Sequence, residues 1–197
     1  MGKLETPLLI VGHGHNATLY IARVFQSIGL QVGHGAVCAD GSTSWAFSHL
    51  LRTELPNIGL PVNTKILHQT RNPLFVINSI LVTNIWEVVA NRAASRGAKW
   101  VPHESLPEKA MRWWLIWSKF ANQIAQYRYK VEDLDSVFHE ILRFLGHDQV
   151  PLPKISKTTN KHVCSHDYSW AKLREINCEL CDEVISMTRL YGYEVDV

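Results

Sequence analysis

The chain has 197 residues, 46% of them hydrophobic, which is enough for one domain with a full core. Its 20 basic residues nearly balance 18 acidic ones, and the net charge of +2 provides no general basic surface for nucleic acid. No apolar stretch approaches the length of a membrane span, and the first residues lack the apolar segment of a secretory signal. The four cysteines are therefore expected to be reduced thiols. We predict one cytoplasmic domain, residues 1–197, without a nucleic-acid or membrane partner.

In the first half of the chain, short apolar runs alternate with helical patterns. The predicted strands are Pro7–Val11, Leu30–Val32 and Ile66–Thr70. The predicted helices are Ala17–Ile28, Ser42–Leu51 and a helix that begins at Asn72-Pro73.

The second half continues the alternation. Ser105 and Glu108 form a capping box for a tryptophan-rich helix. YRYKV (127–131) is typical of a strand, Leu134–Leu145 is an amphipathic helix that ends at Gly146, and a last helix runs from Ser169 to Leu190. Strands alternating with helices predict a parallel sheet covered on both faces.

Residues 8–20, LLIVGHGHNATLY, combine a buried strand, a turn with two glycines and the start of a helix. Glycines let the backbone approach a phosphate, and the amides at a helix start offer it hydrogen bonds. The turn fits the dinucleotide fingerprint G-x-G-x-x-[GA], but no carboxylate lies between this turn and Asp40 to hold a ribose. It lacks the Gly-Lys-[Ser/Thr] of a Walker loop. The segment predicts an anion site, with an unliganded turn as the alternative.

A second segment, KILHQTRNPLFVINSI (65–80), places Arg71 at the end of a strand and Ser79 eight residues later in the next helix. Together with the glycine turn, it resembles the sulfotransferases that use 3′-phosphoadenosine 5′-phosphosulfate (PAPS). Their first motif is a strand, a loop of the type G-x-[GP]-[KR]-[ST]-G-T-T and a helix. Their second motif is a strand ending in Arg-[Asn/Asp]-Pro, with a Ser eight residues after the Arg.

Shorter matches extend the resemblance over most of the chain. GLQVGHG and DGSTSW resemble segments of small bacterial and phage members, and YRYKVEDL and LYGYEV resemble later segments of the family. The resemblance implies a three-layer α/β/α fold of the P-loop sulfotransferase type, with a central parallel sheet. It also implies transfer of a sulfuryl group from PAPS to a hydroxyl or amine of a small-molecule or glycan acceptor.

The resemblance further implies which residues bind the donor. The family's first loop holds the 5′-phosphosulfate, a role that here falls on Gly12, His13, Gly14, His15, Asn16, Ala17 and Thr18. An aromatic residue that follows, Tyr20, would stack on the adenine. Arg71 and Ser79 would bind the 3′-phosphate through a charged fork and a hydroxyl. Lys157 and Lys161, in the loop before the last helix, would complete the site.

Two positions at the reacting centre depart from the family pattern. His15 stands where the family has the Lys or Arg that stabilises charge on the leaving oxygen, and an ordinary histidine, with a pKa of about 6.5, is mostly neutral at pH 7. Gly35 replaces a Glu that is a plausible base in the related small proteins, and His34 beside it is a candidate to accept the acceptor's proton. His15 and His34 are the candidate catalytic residues.

Other functions stay open at this point. The fingerprint alone favours an NAD(P) oxidoreductase of the Rossmann type, whereas the altered loop favours a protein that binds PAPS with little turnover. Ten histidines and Cys178-x-x-Cys181 suggest zinc, but nothing in the sequence fixes a full ligand set, so no metal is expected. Both cysteines fall in the predicted last helix, where packed thiols are expected.

Overall fold

The structure is a computed structural model that describes residues 4–83, 85–101, 103–155 and 167–196. The chain divides into two compact units. The first consists of Met1–Arg71 and Phe120–Lys161, and the second consists of Asn72–Lys119 and His162–Val197. The helices are α1 (Thr18–Ser27), α2 (Pro73–Ile80), α3 (Trp86–Ala94), α4 (Leu106–Ile124), α5 (Leu134–Leu145), α6 (Trp170–Ile176) and α7 (Cys178–Leu190).

The first unit is built on a five-stranded sheet whose strand pairings are all parallel. Its strands are β1 (Leu8–Gly12), β2 (Val32–His34), β3 (Gly41–Thr43), β4 (Lys65–Thr70) and β5 (Tyr127–Lys130), in the order β2-β3-β1-β4-β5. Gly12, the last residue of β1, pairs with Gln69 of β4. Because these two strands run side by side, the turn after β1 and the residues after β4 emerge at the same edge of the sheet.

Alternate residues of β1 face two separate cores, which gives the first unit three layers. Leu8 and Ile10 pack against α1 and α5. Leu9 and Val11 pack on the other face, against Leu55 of a 3-10 segment and the end of α4. A strand buried on both faces needs a continuous apolar run, which LLIV provides. The predicted three-layer fold with a central parallel sheet is confirmed.

The second unit is helical and contains the tryptophan-rich face of α4. Trp113 and Trp117 are fully buried. The Trp113 ring lies edge-on to Trp86 of α3, with centroids 5.8 Å apart, and to Trp117, at 6.0 Å. Trp114 packs against Tyr191, after α7, at 5.9 Å. These contacts show that the tryptophans of RWWLIW (112–117) are packing residues. No helix in the described part of the chain is long and apolar enough to cross a membrane.

One predicted helix is wrong. A helix is predicted over Ser42–Leu51, but Gly41–Thr43 forms β3, which is inserted between β2 and β1 and followed by a short 3-10 turn. A three-residue strand is too short to show an alternating pattern. Gly41 permits the insertion, since a Cβ there would lie 1.8 Å from the carbonyl oxygen of Leu8.

Two other predictions need correction. The second strand begins at Val32 rather than Leu30. The predicted last helix is broken at Asn177, which adopts an extended backbone. The Asn177 side chain accepts a hydrogen bond from the Leu180 amide at 3.0 Å and thereby caps the start of α7. The segment Trp86–Ala94, which had no assignment, forms α3.

Candidate functional site

The turn that follows β1 is held close to β4. A Cβ on Gly12 would lie 2.4 Å from the carbonyl oxygen of Gln69, so the glycine is required by strand packing itself. The Gly12 amide donates to Ser48 Oγ at 3.0 Å, and the same hydroxyl donates to the Gly12 carbonyl at 2.8 Å. The last residue of β1 is therefore fixed on both sides before the turn begins.

Two residues of the turn adopt left-handed backbone conformations although neither is glycine. His15 has φ of 67°, and Ala17 has φ of 58° and ψ of 32°. Such conformations cost about 1–3 kcal/mol each and are concentrated at functional sites. Ala17 is also the N-cap of α1 and makes no side-chain capping bond. The first turn of α1 thus begins without the usual side-chain acceptor for its amides.

The side chain of Asn16 points into the protein and joins the turn to the sheet. Its Nδ2 donates to the Gln69 carbonyl at 2.9 Å, and Gln69 Nε2 donates to the Asn16 carbonyl. The Tyr129 hydroxyl donates to Gln69 Oε1 at 2.5 Å. Burial raises the pKa of Tyr129 well above its ordinary value, so this hydroxyl keeps its proton. The network holds the shape of the turn.

Arg71 lies against the glycine turn. It directly follows β4, and its Nη1 donates to the carbonyl oxygen of His15 at 2.9 Å across 56 residues of sequence. Arg71 and His15 are both half-buried. The structure therefore brings the glycine turn and Arg71 together at one edge of the sheet.

His34 also reaches the start of α1. It is the last residue of β2, and its Nε2 lies 3.1 Å from the hydroxyl of Thr18. The Thr18 carbonyl accepts a hydrogen bond from Thr43 Oγ1 at 3.0 Å, which ties α1 to β3. Partial burial lowers the pKa of His34 below its ordinary value of 6.5. The imidazole is therefore neutral at pH 7 and able to accept a proton.

No protein-family model matches the chain, and no curated protein matches its sequence. Two solved structures align with it over nearly its whole length. One is a sulfotransferase domain from the curacin biosynthetic pathway, with 13% identity and a TM-score of 0.57, covering 99% of this chain and 100% of that one. The other is a sulfotransferase from Alicyclobacillus acidocaldarius, with 13% identity and a TM-score of 0.53, covering 98% of each chain. The chain has a sulfotransferase fold.

The sulfotransferase fold differs from a Rossmann domain in its strand order. In a Rossmann sheet the second strand lies next to the first, whereas here β3 separates β1 from β2. The carboxylate of Asp40, the first after the glycine turn, accepts hydrogen bonds from the amides of Leu4 and Gln31 at 2.9 and 2.7 Å. An acidic side chain engaged in this way does not hold a ribose. Both observations disfavour an NAD(P) site.

The remaining predicted site residues are distributed as follows. Gly14 and His13 are buried in the turn. Tyr20 is half-buried on α1 and packs against the core of the first unit. Ser79 is buried in α2 of the second unit. Lys157 and Lys161 lie outside the described residues. Within the described part of the chain, no group of three His, Cys, Asp or Glu residues could hold a metal ion.

Sequence reasoning missed the residues that support the turn. These are Ser48, Thr43, Gln69 and Tyr129. Gln69 could have been noticed, because a polar residue two positions before Arg71 in a buried strand requires partners. Ser48 has no local signal, since its role depends on contact with a residue 36 positions away.

Proposed function

We propose that the chain binds PAPS between the glycine turn and Arg71 and transfers its sulfuryl group to a hydroxyl or amine of a small-molecule or glycan acceptor. The observation that carries this proposal is the 2.9 Å hydrogen bond from Arg71 to the His15 carbonyl. It joins the two segments that would hold opposite phosphates of one nucleotide. The sulfotransferase fold supports the same conclusion.

In this proposal, the two ends of the donor are held by different chemistry. The turn and the first amides of α1, from Gly14 to Thr18, face the 5′-phosphosulfate, where the positive end of the helix dipole favours an anion. Arg71 binds the 3′-phosphate, because a planar guanidinium matches two phosphate oxygens. The resemblance to the family adds Ser79, Lys157 and Lys161 as further ligands of the 3′-phosphate, and Tyr20 as the residue that contacts the adenine.

Transfer breaks the bond between sulfur and the oxygen that bridges it to the 5′-phosphate, and forms a bond from sulfur to the acceptor. His34 accepts the acceptor's proton, since its imidazole is neutral at pH 7 and lies beside Thr18. His15 donates to the leaving oxygen in place of the family's cationic residue. The product nucleotide is 3′-phosphoadenosine 5′-phosphate (PAP).

Calorimetric titration with PAP and AMP tests the binding part of the proposal. The wild-type chain is expected to bind PAP about 10- to 100-fold more tightly than AMP, because a charged hydrogen bond contributes about 1.5–3 kcal/mol. R71A should lose this preference, while the control R23A, at an exposed position of α1, should keep it. Equal affinity for PAP and AMP in the wild type, or binding of NAD(P) alone, would contradict the proposal.

A second candidate function is donor binding with little or no turnover. The absence of Lys or Arg at position 15 favours it, because the charge on the leaving oxygen is then less stabilised. Radiolabelled PAPS with mixtures of acceptors distinguishes the two functions when wild type and H15R are compared. Transfer by either form supports the enzyme. Tight donor binding without transfer by both forms supports the binding protein.

A further inference from the structure

Cys178 and Cys181 form a C-x-x-C pair in the first turn of α7. Cys178 is the first residue of this helix and is exposed. Cys181 is fully buried, and its Sγ lies 3.8 Å from the carbonyl oxygen of Trp170. The prediction of two packed thiols is right for Cys181 and wrong for Cys178. One turn of helix therefore carries an accessible thiol and a shielded one.

The backbone at this point permits a bond between the two sulfurs. Helix residues three apart have Cβ atoms about 5–6 Å apart, whereas a disulfide needs about 3.5–4.5 Å. Asn177, just before the helix, has an extended backbone with φ of −156° and ψ of 98°. Because Cys178 has helical neighbours on one side only, a small rotation of its backbone can close the difference without unwinding α7.

We propose that Cys178 and Cys181 form a dithiol–disulfide site that reacts with low-molecular-weight disulfides such as glutathione disulfide. The Cys178 sulfur attacks one sulfur of glutathione disulfide and releases one glutathione. The Cys181 sulfur then attacks Cys178, releases the second glutathione and gives up its proton. The two cysteines are oxidised together by two electrons, and glutathione disulfide is reduced to two glutathiones. This site is independent of the proposed sulfuryl transfer.

The order of the two steps follows from the difference between the thiols. Burial raises the pKa of Cys181 to about 11, so its thiol stays protonated at neutral pH and reacts slowly with an external disulfide. Once Cys178 carries glutathione, the Cys181 sulfur is held within one helical turn of it, and the reaction becomes intramolecular. The exposed cysteine is thus the attacking residue, and the buried one resolves the mixed disulfide.

Mass spectrometry after exposure to glutathione disulfide tests the proposal, in a background of C38S and C164S. Trypsin releases residues 175–189 as one peptide that contains both cysteines. In the chain with both thiols, this peptide should lose two hydrogens and carry no glutathione. In the C181S variant, Cys178 should instead retain one glutathione. In the C178S variant, modification of Cys181 should be at least about tenfold slower.

Circular dichroism of each variant verifies that the helices are retained. The proposal is overturned if the peptide with both cysteines accumulates glutathione without losing two hydrogens. It is also overturned if oxidation yields a dimer linked through Cys178 on a non-reducing gel, or if Cys181 reacts as fast as Cys178. Reversal of the disulfide by reduced glutathione, with return of both free thiols, supports it.

Discussion

At the scale of single residues, the turn after β1 adopts left-handed backbone conformations at two positions that are not glycine. These two residues are His15 and Ala17. Arg71 donates to the carbonyl of this strained turn. A side chain from outside the turn therefore supports a backbone conformation that glycine would adopt more easily.

The strain at Ala17 predicts a stabilising substitution. A17G should raise the free energy of unfolding by about 0.5–1 kcal/mol, because relief of the left-handed strain exceeds the added freedom of the unfolded chain. The control A90G, in the middle of α3, should lower it by about 1 kcal/mol. Urea denaturation measures both. A loss of stability in A17G would show that Ala17 is not strained.

His34 predicts a pH dependence of any transfer activity. Since burial lowers its pKa below 6.5, the imidazole loses its proton at a pH below 6.5, and the rate should rise with pH through that range and then level off. H34Q should lower kcat by about 10²- to 10⁴-fold and remove this rise. The control H147Q should retain the wild-type kcat and the rise of the rate with pH. An unchanged profile in H34Q would exclude His34 as the base.

At the scale of elements, the helices and strands with long periodic patterns could be predicted from the sequence. The patterns at α1, α5 and β4 are strong, and the structure has these elements within two residues of their predicted ends. The three-residue β3 has no such pattern, because it is defined by pairing with β1 and β2 on either side. The break at Asn177 was also missed, since one Asn inside an apolar-periodic run is a weak signal for a helix end.

The capping of α7 by Asn177 can be tested by substitution. Asn177 accepts from the Leu180 amide at 3.0 Å and donates to Glu108 at 2.9 Å. N177A should lower the free energy of unfolding by about 1 kcal/mol, because the first turn of α7 loses its cap. N177S should recover much of this loss, since a serine hydroxyl can cap the helix. Equal stability of N177A and the wild type would mean that the cap contributes nothing.

At the scale of the whole molecule, the candidate site depends on residues that only the folded chain brings together. Motif spacing predicted the glycine turn and Arg71 as partners. It did not predict the supports, because Ser48 and Tyr129 reach the turn through contacts 36 and 60 residues apart in sequence. Long-range polar pairs of this kind leave no period or local signature. The contact between the glycine turn and Arg71 was thus predictable, whereas Ser48 and Tyr129 were not.

Global stability should depend on pH through His68, which is fully buried in β4 with Nδ1 3.0 Å from Asn122 Oδ1. Burial lowers its pKa from 6.5 to about 4, so the folded chain holds this ring neutral while the unfolded chain protonates it. Above pH 6.5 the ring is neutral in both states, and His68 does not reduce the free energy of unfolding. As the pH falls from 6.5 toward 4, protonation of the unfolded chain lowers the free energy of unfolding by up to about 3 kcal/mol.

Urea denaturation at pH 7 and at pH 4.5 measures this dependence. H68Q should be less stable than the wild type at pH 7 but should lose less stability between the two pH values. H139Q, which changes an exposed histidine of α5, should lose as much as the wild type. If H68Q and H139Q lose the same amount, His68 is not the source of the acid sensitivity.

The most direct measurement is a crystal structure of the chain with PAP bound. We expect the 5′-phosphate at the amides of residues 14–18 and the 3′-phosphate in contact with the Arg71 guanidinium, with His34 facing the position of the transferred group. A nucleotide bound elsewhere, or one whose 3′-phosphate does not touch Arg71, would contradict it.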